Sequence, residues 1–248
     1  MNRPKFCFKF SCILIVSFLA FFICLNSASG KVTEADSNFD GKMDQWTYMS
    51  PEGNIFKVEY DTDFDENIDQ IEHFEGNEQM IKAEFDSNKD GQIDQVQHYG
   101  NSGKLERVEK DSKHKGAFDW VEFFNEQEKI ARIEVDKNSD NHADMFQYFD
   151  ENQKLQRIEH DTDYNRKADR WDYFSNEKIM RVEFDTNSDL KPDQWQYFQG
   201  LNIIEKVEND TNFDGKADHW EYFDSFGKLI RRESDRNFDG KPDLIQNQ

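Results

Sequence analysis

The sequence predicts an all-β repeat protein, an antiparallel meander of about eight 25-residue β-hairpins in an open, coiled array. Three observations support this fold class. An aspartate recurs every 25 residues from Asp36 to Asp235, with a single step of 24 residues between Asp161 and Asp185. The segments between these aspartates alternate apolar and polar residues with period two, as strands do. Clusters of Asp, Asn and Gly separate the segments, as loops do. A closed ring or a propeller-like array of the same hairpins is the alternative.

Every repeat unit has the same internal order when positions are counted from its first aspartate as position 1. Positions 1–9 form an acidic loop. A first strand follows, as at residues 45–48, then a polar turn, as at 50–54, and a returning strand, as at 55–59. The next acidic loop links this hairpin to the following one. The units start at residues 36, 61, 86, 111, 136, 161, 185 and 210, and a half unit starts at residue 235.

The pairing register within a hairpin can be predicted from the pattern. We expect position 14 to face position 20, so that position 12 faces position 22 and position 11 faces position 23. Opposed residues share one face of an antiparallel pair, so the Lys or Arg at position 22 would lie opposite the Glu or Gln that most units carry at position 12. The residue missing from the 24-residue unit is expected in the turn at 175–178, because turns tolerate deletions.

The two ends of the repeat region determine whether the array can close. Residues 32–34 match the second strand of a unit, and residues 243–248 match a first strand. In a closed ring these two segments would pair with each other. In an open array, which we rank first, both would remain exposed sheet edges.

The first 30 residues have the composition of a signal peptide. Their charged residues are all basic (Arg3, Lys5 and Lys9), and an apolar run follows at 10–25 before several small residues. This order is typical of a cleavable export signal, so we expect a signal peptide at 1–30.

The remaining residues, 31–248, are expected to form a single repeat domain in a protein that is secreted, periplasmic or at the cell surface. An uncleaved N-terminal anchor, or a lipid on Cys24, is the alternative. All three cysteines lie within the first 30 residues, so neither disulfides nor thiol chemistry contribute to the repeat domain.

The repeat domain is strongly acidic. The chain has 31 basic and 52 acidic residues, and without the three basic residues of the leader the net charge becomes −24. This charge excludes nucleic-acid binding driven by phosphate contacts and argues against docking on anionic lipid. The domain is nevertheless rich in aromatic residues, so something must neutralise the acidic groups if these aromatics are to pack.

The acidic loops have the residue types of a cation site. Their pattern is Asp-x-Asn/Asp-x-Asp-Gly-x-x-Asp, with oxygen-bearing side chains at positions 1, 3, 5 and 9. Calcium takes about six to eight oxygen ligands from carboxylates, amides and carbonyls. Glycine at position 6 permits the positive φ that such a tight loop needs. We therefore expect up to eight Ca²⁺ sites. The predicted ligands are Asp36, Asn38, Asp40, Asp44, Asp61, Asp63, Asp65, Asp69, Asp86, Asn88, Asp90, Asp94, Asp136, Asn138, Asp140, Asp144, Asp161, Asp163, Asn165, Asp169, Asp185, Asn187, Asp189, Asp193, Asp210, Asn212, Asp214, Asp218, Asp235, Asn237, Asp239 and Asp243.

The loops resemble the first nine positions of the EF-hand calcium loop, as found in dockerin and thrombospondin type 3 repeats. The resemblance covers the loops only, because strands flank them, and the hairpins are similar to MORN-like repeats. It implies calcium ligation by positions 1, 3, 5 and 9. The EF-hand glutamate at position 12 is replaced here by Thr, Gln, Asp or Glu. Every unit carries a Glu at position 24, which would either supply the missing ligand or pair with the Lys or Arg at position 22.

The eight loops that keep their oxygen ligands are not equivalent. Four of them carry Gly at position 6, and the other four carry Glu66, Asn141, Arg166 or Leu190. A side chain in the left-handed region costs about 1 kcal/mol or more, and less for Asn. We expect weaker calcium binding in the loops without this glycine.

The loop at 111–119 is predicted to bind no metal. Lys113 and Lys115 replace the oxygen ligands at positions 3 and 5. An ammonium group held between Asp111 and Asp119 would take the place of the metal ion.

These features predict an exported calcium-binding β-repeat scaffold that serves as a protein or glycan interaction module and is not an enzyme. We expect no nucleic-acid partner and no membrane insertion once the signal is removed. Two alternatives stay open. One is a secreted carbohydrate-active hydrolase that uses paired carboxylates. The other is a purely structural calcium-binding surface protein.

Overall fold

The computed structural model describes residues 30–76, 79–200 and 203–248. These residues form eighteen β-strands. The described chain has no helix that is long and apolar enough to cross a membrane. Apart from Gly30, the predicted signal peptide, including Cys24, lies outside the described residues.

The strands follow the repeat, with two strands in each full unit and one further strand at each end. Their bounds are β1 (Lys31–Ala35), β2 (Gln45–Met49), β3 (Ile55–Tyr60), β4 (Gln70–Glu75), β5 (Gln79–Phe85), β6 (Gln95–Tyr99), β7 (Leu105–Lys110), β8 (Trp120–Phe124), β9 (Ile130–Val135), β10 (Met145–Phe149), β11 (Leu155–His160), β12 (Arg170–Ser175), β13 (Lys178–Phe184), β14 (Gln194–Gln199), β15 (Ile203–Asn209), β16 (His219–Phe223), β17 (Leu229–Ser234) and β18 (Leu244–Asn247).

The strands form one antiparallel sheet in which each strand pairs with the strands before and after it in the chain. Within the described residues, β1 pairs only with β2 and β18 pairs only with β17, so the sheet is open. The predicted open meander is confirmed, and the closed ring is wrong. Described strands contact only their sheet neighbours, so the sheet is a single layer.

The predicted register is correct at the turn end of the hairpins and wrong beyond it. In the first hairpin, Met49 faces Ile55, as expected of positions 14 and 20. A β-bulge follows, and Tyr48 then faces Lys57, which leaves Phe56 as the extra residue. Position 13 therefore faces position 22, position 12 faces 23, and position 11 faces 24. A bulge sets two residues against one, and side-chain alternation alone does not reveal it.

The observed register builds a ladder of charged and aromatic side chains across one face of the sheet. Position 13, most often Tyr, faces the Lys or Arg of position 22. The ammonium of Lys57 lies 4.0 Å from the ring centroid of Tyr48, and the guanidinium of Arg181 lies 4.5 Å from that of Tyr173. Such contacts contribute about 0.5–1 kcal/mol each at exposed sites. The ladder thus places a cation over each of the six Tyr and Phe rings at position 13.

The opposite face carries a row of small apolar side chains at position 23, most of them buried. Val182 is the most enclosed large side chain, with an exposure of 2%. It faces Asp172 on one neighbouring strand and Gln196 on the other. Apolar residues of position 23 therefore alternate with polar residues of position 12 across this face.

The short unit loses its residue in the hairpin turn, as predicted. Ser175 faces Lys178, so Asn176 and Glu177 form a two-residue turn in which both have positive φ, 50° and 63°. Two left-handed residues give a hairpin turn whose twist matches that of the flanking strands.

Candidate metal centres

The nine acidic loops lie along one edge of the sheet, because each of them joins the second strand of one hairpin to the first strand of the next. Backbone hydrogen bonds hold both ends of a loop. In the loop at 61–69, the N–H of Asp61 donates to the carbonyl of Asp44 and the N–H of Asp69 donates to the carbonyl of Tyr60, both at 2.9 Å. Strands lie about 4.8 Å apart, so consecutive loops recur about every 10 Å along this edge.

The carboxylate at position 1 organises each loop. In all nine loops one of its oxygens accepts a hydrogen bond from the N–H of position 6, at 2.6–2.8 Å. In the loop at 210–218, the other oxygen of Asp210 accepts from the N–H of Asp214 at 3.2 Å. Each carboxylate oxygen has two lone pairs, so these hydrogen bonds leave room for a metal ion on the same oxygens.

The carboxylate at position 9 folds back onto the start of its loop. Asp218 accepts hydrogen bonds from the N–H of Thr211 at 2.9 Å and from its hydroxyl at 2.8 Å. In most loops the aspartates at positions 1 and 9 are buried, among them Asp210 and Asp218. Burial of an ionised carboxylate is costly unless it is compensated. Most loops therefore contain two buried anions that would gain from a cation.

Positions 3 and 5 form the exposed rim of the loop. The side-chain carbonyl of Asn212 accepts from the N–H of Asp214 at 2.9 Å, and the carboxylate of Asp214 accepts from the N–H of Lys216 at 3.0 Å. Positions 1, 3, 5 and 9, the predicted ligand positions, thus lie close together within one hydrogen-bonded loop. These bonds are also those of Asx turns, so the loop shape alone does not require a metal.

Positions 4 and 6 are left-handed in every loop. Position 6 has a φ between 66° at Asn141 and 93° at Gly41, as the sequence predicted. The left-handed conformation of position 4 was not predicted from the sequence; its φ lies between 50° at His114 and 67° at Phe64, and no loop has glycine there. Strain that recurs at one position points to a role for the side chains presented there. The absence of Val, Ile and Thr from position 4 was the available signal, because β-branched residues rarely adopt a positive φ.

Two loops bring three carboxylates together, with oxygen atoms within 4.8 Å of one another. Such oxygen groups suit hard divalent cations. Other loops have Asn at position 3, so an amide oxygen takes the place of one carboxylate. The two groups are Asp61, Asp63 and Asp65, and Asp161, Asp163 and Asp169.

The group in the loop at 161–169 carries uncompensated negative charge. Burial, with the neighbouring Asp163 carboxylate, raises the pKa of Asp161 above the ordinary value of an aspartate, although the N–H groups of Arg166 and Asn165 act in the opposite direction. A bound cation would favour the ionised form and reverse this shift. The donor set of this loop therefore fits a divalent cation.

The loop at 61–69 receives a cation from the protein itself. The ammonium of Lys89, at position 4 of the next loop, lies 3.0 Å from Oδ2 of Asp63 and 3.0 Å from Oδ2 of Asp69. It also donates to the hydroxyl of Thr62 at 3.1 Å. Burial alone would raise the pKa of Asp69, but the hydrogen bonds from Thr62 and Lys89 outweigh burial and lower it.

In the loop at 111–119 an internal ammonium neutralises one of the two predicted acids, Asp119, while the buried Oδ1 of Asp111 has no hydrogen-bond partner in the described chain. The ammonium of Lys113 lies 3.1 Å from Oδ2 of Asp119, so the expected ammonium does reach the acid at position 9. It also donates to the backbone carbonyls of Asp136 at 3.0 Å and Lys137 at 3.2 Å. That this loop binds no metal stays a prediction.

The glutamate at position 24 forms an ion pair with the Lys or Arg at position 22 in all eight hairpins. Seven of these pairs have N···O distances of 2.5–3.0 Å, and Arg231 with Glu233 makes the eighth. The tyrosine of position 13 often donates to the same carboxylate, as Tyr197 does to Glu208 at 2.9 Å. Of the two roles considered for this glutamate, the structure shows the ion pair.

Substitution Glu208→Gln is expected to leave calcium affinity unchanged and to alter the titration of one tyrosine. Burial and the hydrogen bond to Glu208 raise the pKa of Tyr197 to about 12. A pKa above that of the unfolded chain stabilises the fold below about pH 10, and this stabilisation is lost as the pH rises towards 12. In the variant the pKa of Tyr197 should fall. The free energy of unfolding should therefore decrease less between pH 10 and pH 12 than it does in the unmodified protein.

Ultraviolet titration of tyrosinate, together with calcium calorimetry, checks this prediction. Glu205→Gln, on the exposed side of the same strand, is the matched control. A loss of calcium affinity in Glu208→Gln but not in the control would contradict the ion-pair role.

Comparisons with known proteins show no family for this chain. No protein-family model matches it, and no curated protein matches it. Solved structures give partial likenesses. TarM of S. aureus, in complex with Fondaparinux, alpha-GlcNAc-glycerol and UDP, is 14% identical, with a TM-score of 0.25 over 47% of this chain and 20% of TarM. Accessory secretory protein 1,2 and 3 of Streptococcus pneumoniae is 16% identical, with a TM-score of 0.23 over 49% of this chain and 20% of the other.

A third likeness is the Tc holotoxin pore of Photorhabdus luminescens, 10% identical, with a TM-score of 0.24 over 88% of this chain and 13% of that chain. The matched regions thus span a fifth or less of the lengths of these proteins. Structural similarities this weak give no information about the function of the repeat protein.

Proposed function

We propose that this protein is an exported calcium-binding β-repeat scaffold. Calcium ions along the loop edge would stabilise the single-layer sheet, and the exposed surfaces of that sheet would bind a protein or glycan partner. The observation that carries the calcium proposal is the convergence of Asp161, Asp163 and Asp169, with the raised pKa of Asp161 as the mark of uncompensated charge.

The overall charge supports divalent cations as part of the folded state. The repeat domain carries a net charge of −24, and its loops bury carboxylates at positions 1 and 9. Self-repulsion of this size destabilises a compact chain. If all eight predicted loops bound a dication, the net charge would change from −24 to about −8, a magnitude usual for a soluble domain.

The donor atoms favour calcium over other metals. The loops offer carboxylate, amide and carbonyl oxygens, and the repeat domain has no cysteine. Zinc prefers nitrogen and sulfur ligands, and magnesium demands a near-octahedral shell that keeps several waters. A loop with oxygens from four side chains and an irregular outline suits the larger, more flexible calcium shell.

The repeat favours a binding scaffold over a hydrolase. A glycosidase of the usual kind needs two carboxyl groups on opposite sides of the scissile bond. A groove of about 430 Å³ on the sheet is lined by Phe174, Phe184 and Phe198, and Glu177 is the single carboxylate among its lining residues. Elsewhere the same carboxylates recur from unit to unit and are used in ion pairs and loop turns.

Substitution Asp161→Asn is expected to remove one calcium ion from the number bound at saturation, or to weaken one site at least tenfold. The change replaces one of the three converging carboxylates by an amide, which offers one oxygen in place of two and carries no charge. Calorimetric titration of the protein with CaCl₂ gives both the number of sites and their affinities.

Asp224→Asn is the matched control for this experiment. Asp224 lies in a hairpin turn at the opposite edge, where its Oδ1 accepts hydrogen bonds from the N–H groups of Phe226 and Lys228 at 2.8 and 3.0 Å. The same chemical change there should leave calcium binding as it is in the unmodified protein. Equal binding by both variants and by the unmodified protein would contradict the assignment of the loop at 161–169.

A further inference from the structure

The side chain at position 4 of a loop reaches the preceding loop. The Lys89 ammonium contacts the acids at positions 3 and 9 of the loop before it, as described above. His114 occupies the same position one unit later. Its Nδ1 lies 2.9 Å from Nδ2 of Asn88 and 3.8 Å from Oδ2 of Asp94, again positions 3 and 9 of the preceding loop.

The aromatic residues at position 4 show the same placement through their exposure. Phe39 belongs to the first loop of the described residues, with no described loop before it, and it is 79% exposed. Phe64, Tyr164, Phe213 and Phe238 each follow an earlier loop, and their exposures are 45–51%. This difference is what a side chain resting on the preceding loop would produce.

We infer that the residue at position 4 determines whether the preceding loop can bind calcium. A lysine there occupies the oxygens that calcium needs, and an uncharged side chain leaves them available. This inference rests on the proposed function and concerns its selectivity among the nine loops. It names Lys89 as the residue that closes the loop at 61–69.

Lys89 and a calcium ion would compete for the same ligands in the loop at 61–69. The Lys89 ammonium is within 3.0 Å of one oxygen each of Asp63 and Asp69, and both residues belong to the predicted calcium shell. Unlike a backbone N–H, the ammonium is a full cation, and it would repel a calcium ion bound to the same oxygens. His114 differs from Lys89, because its Nδ1 accepts a hydrogen bond from the amide nitrogen of Asn88 and lies 3.8 Å from Oδ2 of Asp94, so it occupies no ligand oxygen of the loop at 86–94.

The loop at 161–169 shows the opposite arrangement. The residue at position 4 of the next loop is Ser188, which is small and uncharged. The carboxylates of Asp161, Asp163 and Asp169 converge there, and no ion pair with a basic residue is recorded for any of them in the described chain. With Lys113 closing its own loop, two of the nine loops are closed. Seven loops then remain open, those starting at residues 36, 86, 136, 161, 185, 210 and 235.

Exchanging the residues at position 4 tests this inference. In Lys89→Ser the protein should bind one more calcium ion at saturation than the unmodified chain. In Ser188→Lys it should bind one fewer. Lys129→Ser is the control, because Lys129 donates to the carbonyl of Glu151 at the hairpin-turn edge, and its loss changes the charge equally without touching an acidic loop.

The number of ions is measured by equilibrium dialysis against ⁴⁵Ca²⁺, with circular dichroism as a check that each variant folds. A gain of one ion in Lys89→Ser and a loss of one in Ser188→Lys, with Lys129→Ser unchanged, supports the inference. Normal binding by the unmodified protein with no change in either variant overturns it and leaves the proposed function intact. Absence of calcium binding in the unmodified protein overturns the proposed function as well.

Discussion

Removal of calcium is expected to lower the free energy of unfolding by about 7 kcal/mol, since each of seven open loops contributes about 1 kcal/mol at a free calcium concentration five times its dissociation constant. Folded domains are stable by about 5–15 kcal/mol in total. The described sheet is a single layer, and the buried row at position 23 consists of small side chains. Hydrophobic burial therefore contributes little to its stability. Chelation should therefore unfold much or all of the chain at room temperature.

Thermal unfolding followed by circular dichroism, with calcium and with excess chelator, measures this effect. Potassium chloride at equal ionic strength controls for simple screening of the net charge, and magnesium controls for divalent charge without the calcium shell. If calcium, magnesium and potassium chloride all raise the melting temperature equally, the stabilisation is screening and the loops are not calcium sites.

The substitution Val182→Asp is expected to destabilise the sheet by about 3 kcal/mol or more, because it buries an ionisable group without a partner. Val182 is almost fully enclosed, and its cross-strand neighbours are Asp172 and Gln196. The new carboxylate would lie directly opposite the existing one on Asp172, and opposed like charges are unfavourable across a strand pair.

Urea unfolding monitored by tryptophan fluorescence gives the loss in stability. Met180→Asp is the matched control, because Met180 is an exposed bulge residue on the same strand. Its substitution should change the free energy of unfolding by less than about 0.5 kcal/mol, as for surface sites in general. Similar losses in both variants would mean that the row at position 23 is not the core of the sheet.

The order of strands and loops was predictable because it depends on local sequence. Each unit carries its own alternating strands and its own turn residues, and neighbouring strands in the sheet are neighbours in the chain. The register was not predictable in full. It depends on a bulge at position 21, where Phe56 in one unit and Met180 in another are apolar yet exposed. By composition alone, either residue would be assigned to a buried face.

The loop residues were predictable as a set, and the differences between loops were not. The pattern of oxygen-bearing residues identifies the loop, since each ligand lies within nine residues of the others. The contact from Lys89 to Asp63 and Asp69 spans two loops that come together only when the sheet has formed. The sequence identified the lysine within a loop, Lys113, but it could not identify a lysine supplied by the following loop.

Calcium anomalous diffraction from crystals grown in saturating calcium tests the central claim most directly. The proposed function predicts anomalous peaks at calcium–oxygen coordination distance, about 2.3–2.6 Å, from the position-1 aspartates of the open loops. The loop at 161–169 is among them. It predicts none in the loop at 111–119. A map without peaks in any acidic loop, at a calcium concentration that saturates the protein in solution, would contradict the claim that these loops are calcium sites.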